Sequence, residues 1–218
     1  MNFDLSSALA AIRPGMPLVV TDADGVVLRF TGGLERHLRA RGFYLDLTGY
    51  RLLGAVKRQD DHTPLLDVEV LALVEEFRRE LDDLEAVDGA CETLRALAEV
   101  ANIVVLSNVN ESQAVARRRN MEALGLYFPL IANDAGQGHA GGKGAVIRAL
   151  AARARARTFF IDDLPVNLAD VAHAAPDVLL LHLVESPALK ELLGSGFHAH
   201  CHAENWEEAG AFILGHLE

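Results

Sequence analysis

The sequence predicts an α/β protein built on a parallel sheet, with a small helical unit inserted near its start. Three observations carry this expectation. Short apolar runs ending in polar or acidic residues recur at 17–22, 103–106, 158–161 and 178–183. Helical stretches separate the later runs, and strands alternating with helices imply a parallel sheet with right-handed crossovers. More than twice the ~30 residues that a bare crossover needs separate Asp22 from Ser107. That surplus has no convincing strand and reads as an all-helical insert over 32–86, leaving 1–31 and 87–218 as the sheet domain.

The chain has 218 residues, 50% of them hydrophobic, which suffices for one sizeable core plus a small insert. Lysines and arginines number 20 against 31 acids, for a formal charge of −11. Such an acidic surface argues against nucleic-acid binding or docking on an anionic membrane, but not against a phosphorylated substrate if a metal ion supplies local positive charge. Two cysteines, Cys91 and Cys201, give neither a disulfide framework nor a four-cysteine metal site. The stretch 1–16 lacks the basic and apolar regions of a signal peptide. No run reaches the roughly 18 apolar residues of a membrane helix. The expectation is a soluble cytoplasmic protein, monomeric or homodimeric.

Taken in order, 3–12 reads as a short amphipathic helix, and the first strand at 17–22 follows Pro14 and Gly15. Residues 26–30 read as a short hairpin or flap. In the insert, 34–41 reads as a helix closed by Gly42. A second helix is expected over 46–57, with Leu47, Tyr50, Leu53 and Val56 at helical spacing, and a third over 65–84. Helices follow at 90–100 and 111–124, the latter opened by Asn110 with Gln113 three residues on, a capping-box pattern. A strand is expected at 127–132 and a helix at 142–153. Pro165 opens a helix over 165–174, and Ser186-Pro187 opens another that Gly194 ends. A last helix carries Trp206, as core packing, and Phe212.

The chemistry gathers at the strand ends. Leu18-Val19-Val20-Thr21 runs into Asp22-Ala23-Asp24-Gly25, which presents two carboxylates where a strand stops. Ile103 to Leu106 runs into Ser107-Asn108, and Thr158 to Ile161 into Asp162-Asp163. Lys143 opens a helix within Gly141-Gly142-Lys143-Gly144. Parallel strands put their carboxyl ends on one edge, where ligands of open α/β sheets bind, so these groups can converge. Phosphoryl transfer needs such a set. A strand-end aspartate can attack phosphorus, a second acid can move the proton, carboxylates can share one Mg2+, and a hydroxyl and a lysine can stabilise the transferring group.

Each feature has a plainer reading. Asp-x-Asp-Gly and Ser-Asn are common turn sequences, Lys143 alone would be a solvated lysine, and Asp162-Asp163 would cap the helix from Pro165. A calcium loop is rejected because Val26 and Leu28 follow the acids, and a nucleotide P-loop because Gln137 and Gly144 occupy its required Gly and Ser/Thr positions. Order and context decide: acid pair, Ser-Asn, Lys and acid pair, three of the four ending apolar strands.

This combination resembles the haloacid dehalogenase (HAD) superfamily of hydrolases over most of the chain. Asp22-Ala23-Asp24-Gly25-Val26 is similar to the first family motif, Ser107-Asn108 to the second, Lys143 to the third and Asp162-Asp163 to the fourth. The resemblance implies a Rossmann-like core with a mobile helical cap inserted after the first motif. It implies Asp22 as nucleophile and Asp24 as general acid/base. It implies Mg2+ held by the Asp22 side chain, the Asp24 backbone carbonyl and Asp162, with Asp163 orienting the site directly or through water. Ser107, Asn108 and Lys143 would bind the phosphoryl group, Lys143 also neutralising Asp22. Many members carry a further aspartate four or five positions after the first acid of the last motif; here Val166 and Asn167 stand there. Asp24 favours phosphate chemistry over dehalogenation, because a departing halide needs no proton.

The expected activity is therefore that of a Mg2+-dependent phosphatase of a small phosphorylated metabolite. A phosphomutase and a non-catalytic binding protein that kept the fold are the rivals. Arg36, Arg39, Tyr44, Tyr50, Arg51, Lys57, Arg58 and His62 form the pool for substrate contacts, of which one or two are expected to face the substrate. His198, His200 and His202 would share one face of a strand, but one short cluster lacks the paired spacing of a structural zinc site. Arg153, Arg155 and Arg157 read as a solvated helix end.

Overall fold

The computed structural model describes residues 3–47, 52–79, 81–134, 142–194 and 197–217. In chain order its elements are α1 (Leu5–Ala11), β1 (Leu18–Thr21), α2 (Phe30–Arg39), β2 (Phe43–Leu45), β3 (Val56–Arg58), α3 (Asp67–Arg79), α4 (Ala90–Ala98), β4 (Asn102–Ser107), α5 (Glu111–Ala123) and β5 (Leu130–Ala132). They continue as α6 (Lys143–Ala154), β6 (Thr158–Asp162), α7 (Pro165–Ala174), β7 (Leu179–His182), α8 (Pro187–Leu193), β8 (Cys201–His202) and α9 (Trp206–Leu214).

Six strands form one parallel sheet in the order β5-β4-β1-β6-β7-β8. Alternate residues of each strand face opposite sides, and each side is covered. Val19, Val105, Phe159, Ile161 and Leu181 join a core with α4, α5 and α9. Leu18, Val20, Val104, Leu106, Phe160 and Leu180 join a second core with α1, α6 and α7. Burial on both faces explains why these strands are continuous apolar runs. The architecture is Rossmann-like, as expected. β1 lies between β4 and β6, with Thr21 level with Val105 and Ile161, so Asp22, Ser107 and Asp162 emerge at the same edge.

The insert differs from the all-helical expectation. None of the described residues of 46–57 is helical. Instead β2 and β3 pair antiparallel, with Phe43 opposite Arg58 and Leu45 opposite Val56. Phe43, Tyr44 and Val56 are strand-favouring residues, and the helical spacing of Leu47, Leu53 and Val56 was coincidental. Tyr50, also counted in that helix, lies outside the described residues. α2 also begins earlier than expected, at Phe30, and α3 is shorter.

The polypeptide enters and leaves the insert side by side. Arg29 N–H donates to Glu85 O at 2.9 Å and Val87 N–H to Val27 O at 2.8 Å. Arg29 adds an ion pair to Asp88 at 2.7 Å. α2 packs closely on the returning segment: a side chain at Gly33 would collide with Leu84 and Phe77. Leu34, Val56, Val74, Phe77 and Leu81 of the insert share one apolar cluster with Val26 and Val105 of the sheet region. Trp206 is fully buried there as expected, its indole N–H donating to Val26 O at 2.9 Å.

Candidate active site

β1 ends at Thr21, and the Asp22 N–H still donates to Ile161 O at 2.9 Å, so the carboxylate is fixed at the sheet edge. The chain then turns sharply at Gly25, whose φ of +83° is one that side chains rarely adopt. A Cβ there would also stand 2.7 Å from Asp163 Oδ2. The first and last acidic motifs therefore close on each other only because residue 25 is glycine.

Lys143 opens α6 and is fully buried. Its Nζ lies 2.8 Å from Asp22 Oδ1 and 2.6 Å from Asp162 Oδ2, bridging the two strand ends. The helix is held in place by Asp170 on α7, which accepts the Gly144 N–H at 2.7 Å. A side chain at Gly144 would collide with Asp170 O and Ala174, both at 2.7 Å.

Asp22, Asp162 and Asp163 are all buried and each offers an oxygen, with the three oxygens within 4.8 Å of one another. They form the only such metal-capable group among the described residues. Asp162 Oδ1 also accepts from the Leu164 N–H at 2.8 Å and from Asn167 Nδ2 at 2.9 Å. Asn167 thus supports Asp162 as a hydrogen-bond donor. Burial, followed by the charges of Asp162 and Asp24, raises the Asp22 carboxyl to about 7, with Lys143 pulling the other way. Asp163 is raised well above the ordinary range by burial and then by Asp162 and Asp22. Burial pushes the Lys143 pKa down, yet the two facing carboxylates outweigh it and raise its pKa.

A hard divalent cation fits this set. The donors are all oxygens, as Mg2+ prefers. Asp22 Oδ1, although near Lys143, is a buried oxygen with no well-aligned hydrogen bond. The carboxyls are raised by burial first and by their neighbouring acids second, and a cation would offset both effects.

Asp24 faces elsewhere. Its carboxylate pairs with Arg117 of α5, which is fully buried and also donates to Leu81 O at 3.0 Å. Asn120, one turn on, accepts the Leu84 N–H at 3.0 Å and donates to Leu84 O at 2.8 Å. α5 therefore grips both the second acid and the segment returning from the insert. Sequence reasoning missed Arg117 within Arg117-Arg118-Arg119. The available signal was its spacing: Ala114, Arg117 and Met121 lie at i, i+3 and i+7, on the face that α5 buries.

Ser107 is buried at the end of β4, whereas Asn108 is exposed and accepts from Asn133 Nδ2 at 2.8 Å. The expected substrate-contact residues of the insert are engaged elsewhere. Lys57 pairs with Asp46, Arg58 with Glu69, Arg36 with Glu85, Arg39 with Glu35, and Tyr44 with His62. None of these lines the cavity beside the acids; Arg51 and Tyr50 lie outside the described residues. The histidine tract does not converge on a metal position among the described residues. His200 Nδ1 accepts the Leu180 N–H at 3.0 Å, and His202 packs edge-on against His182.

A cavity of about 510 Å3 opens beside Asp24 and Asp163, between the insert and the sheet edge. Two larger clefts, of 680 and 710 Å3, are lined by none of Asp22, Asp24, Asp162 and Asp163. Among the described residues no helix is long and apolar enough to cross a membrane.

No protein-family profile and no curated protein matches the chain in sequence. Solved structures do. A haloacid dehalogenase-like protein of unknown function from Agrobacterium tumefaciens superposes with a TM-score of 0.66 at 17% identity, covering 94% of this chain and all of its own. A protein of Bacillus subtilis described as a HAD-hydrolase, solved bound to magnesium, gives 0.60 at 15% identity, covering 93% and 100%. A HAD family hydrolase of Deinococcus radiodurans, solved with phosphate and sodium, gives 0.57 at 20% identity, covering 94% and 98%. The chain has the haloacid dehalogenase-like fold, and its buried acidic cluster fits the motifs of that fold.

Proposed function

We propose that the protein is a Mg2+-dependent phosphatase that hydrolyses a small phosphorylated metabolite through an aspartyl-phosphate on Asp22. The observation that carries this reading is the buried constellation of Asp22, Lys143, Asp162 and Asp163 at the edge where Asp24 enters a cavity.

In this reading the Asp22 carboxylate attacks phosphorus as the alkoxide leaves, forming an acyl phosphate. Asp24 gives its proton to the leaving oxygen, then takes one from the water that attacks the acyl phosphate. For this, Asp24 exchanges its Arg117 partner for the reacting oxygen. Ser107 and Lys143 hold phosphoryl oxygens, with Asn108 at the rim. Asp22, Asp162, Asp163 and the Asp24 backbone carbonyl would hold Mg2+, which supplies the positive charge that lets an anionic nucleophile approach an anionic phosphoryl group. Residues 32–86 act as a cap over a core of 1–31 and 87–218, turning on the paired segments at 27–29 and 85–87.

The test is phosphate release from a generic aryl phosphate by the native protein and by Asp22→Asn, with Mg2+ and with EDTA. Release that needs the metal and disappears in the variant supports the reading. Release surviving Asp22→Asn would remove Asp22 as nucleophile. Retention of the phosphoryl group on a sugar phosphate, without free phosphate, would indicate a mutase instead.

A further inference from the structure

The geometry points to a phosphate monoester of an apolar alcohol, rather than a sugar phosphate, as the substrate class of this site. This inference rests on the phosphatase reading above and deepens it. The 510 Å3 cavity is of the size usual for a small-molecule site. Its two charged residues among those described, Asp24 and Asp163, sit at the acidic end. There they belong to the phosphoryl chemistry and not to recognition of the leaving group.

Among the described residues the rest of the lining is apolar except for Thr31. Phe30 and Leu34 come from α2, Leu45, Leu52 and Leu53 from the hairpin region of the insert, and Leu189 from α8. Thr31 is the one uncharged polar side chain among the described lining residues, and its backbone N–H is already taken by Glu185 at 2.5 Å. A hexose would bring several hydroxyls against leucine side chains and leave them without partners, while losing their water. An alkyl or aryl group of similar size loses no hydrogen bond there and removes apolar wall from water. The pairing of Lys57, Arg58, Arg36 and Arg39 with carboxylates elsewhere on the molecule fits the same picture.

Two ligands matched in carbon count separate the alternatives: n-hexyl phosphate and glucose 6-phosphate. Their binding to the Asp22→Asn protein with Mg2+ is measured by calorimetry, so that no turnover intervenes. The hexyl ester is expected to bind at least about tenfold more tightly. Leu53 is 43% exposed and adds little to the fold, so Leu53→Asn in the same background is expected to erase most of that preference. Equal affinities, tighter binding of glucose 6-phosphate, no binding of the hexyl ester, or a preference indifferent to Leu53→Asn would overturn the inference. Phosphate release by the native protein is followed separately with both esters. Absence of release from either, with the hexyl preference intact, would fault the phosphatase reading while supporting the apolar leaving-group pocket.

Discussion

At residue 22 the carboxyl keeps its proton up to about 7, against an ordinary value of 3.8, because it is buried and faces Asp162 and Asp24. A carboxyl raised in this way stabilises the metal-free fold below about 4 and loses that contribution as the pH rises through about 7. A cation bound by Asp22 competes with that proton, so its affinity rises over the same window. The shift in urea midpoint produced by a fixed Mg2+ concentration is therefore expected to be larger at pH 8 than at pH 5.5. An equal shift at both would place the metal elsewhere. Gly25 is the second residue-scale determinant. Gly25→Ala forces a side chain into positive φ and against Asp163. It is expected to cost about 1–3 kcal/mol in denaturant unfolding and to weaken Mg2+ binding.

Among the elements, α5 does the most with the least visible signal. Its start was legible, since Asn110 and Gln113 form the reciprocal capping box that their spacing indicates. Its inner face was harder to read, because three consecutive arginines give no compositional hint of which is buried and only the spacing of Ala114, Arg117 and Met121 singles one out. Arg117→Leu would leave the Asp24 carboxylate and the Leu81 carbonyl without their donor. It is expected to lower stability by about 3 kcal/mol in urea unfolding. Arg117→Lys keeps the charge but not the fork, and should recover part of that loss. The hairpin of the insert escaped for a different reason. β2 and β3 are three residues each and only partly buried, so no alternation distinguishes them from one face of a helix. The strands of the main sheet were readable because both of their faces are covered, which demands unbroken apolar runs.

Over the whole molecule, the order of the motifs along the chain indicates that Asp22, Lys143, Asp162 and Asp163 gather at one edge, but not that Asp24 pairs with Arg117 or that Asn108 is exposed. Parallel strands deliver their ends to one edge whatever the loops between them do. The cavity beside the acids was not foreseeable in this way. It depends on which insert side chains face the acids, and among the described residues these are mostly leucines rather than the charged residues of the insert. A single apolar cluster runs from Val19 and Val105 through Leu34 and Phe77 of the insert. The insert is therefore expected to unfold together with the sheet. Calorimetry should give one transition, with equal calorimetric and van't Hoff enthalpies. Two resolved transitions would contradict a shared core.

The central claim is the covalent intermediate on Asp22. It is tested most directly by quenching the protein during turnover of a phosphate ester with Mg2+, reducing with borohydride and mapping the peptides by mass. An acyl phosphate is reduced to an alcohol, so residue 22 alone should convert to homoserine, and only when substrate and metal are both present. An unmodified residue 22 under conditions of measurable phosphate release, or conversion at another acid, would contradict the account.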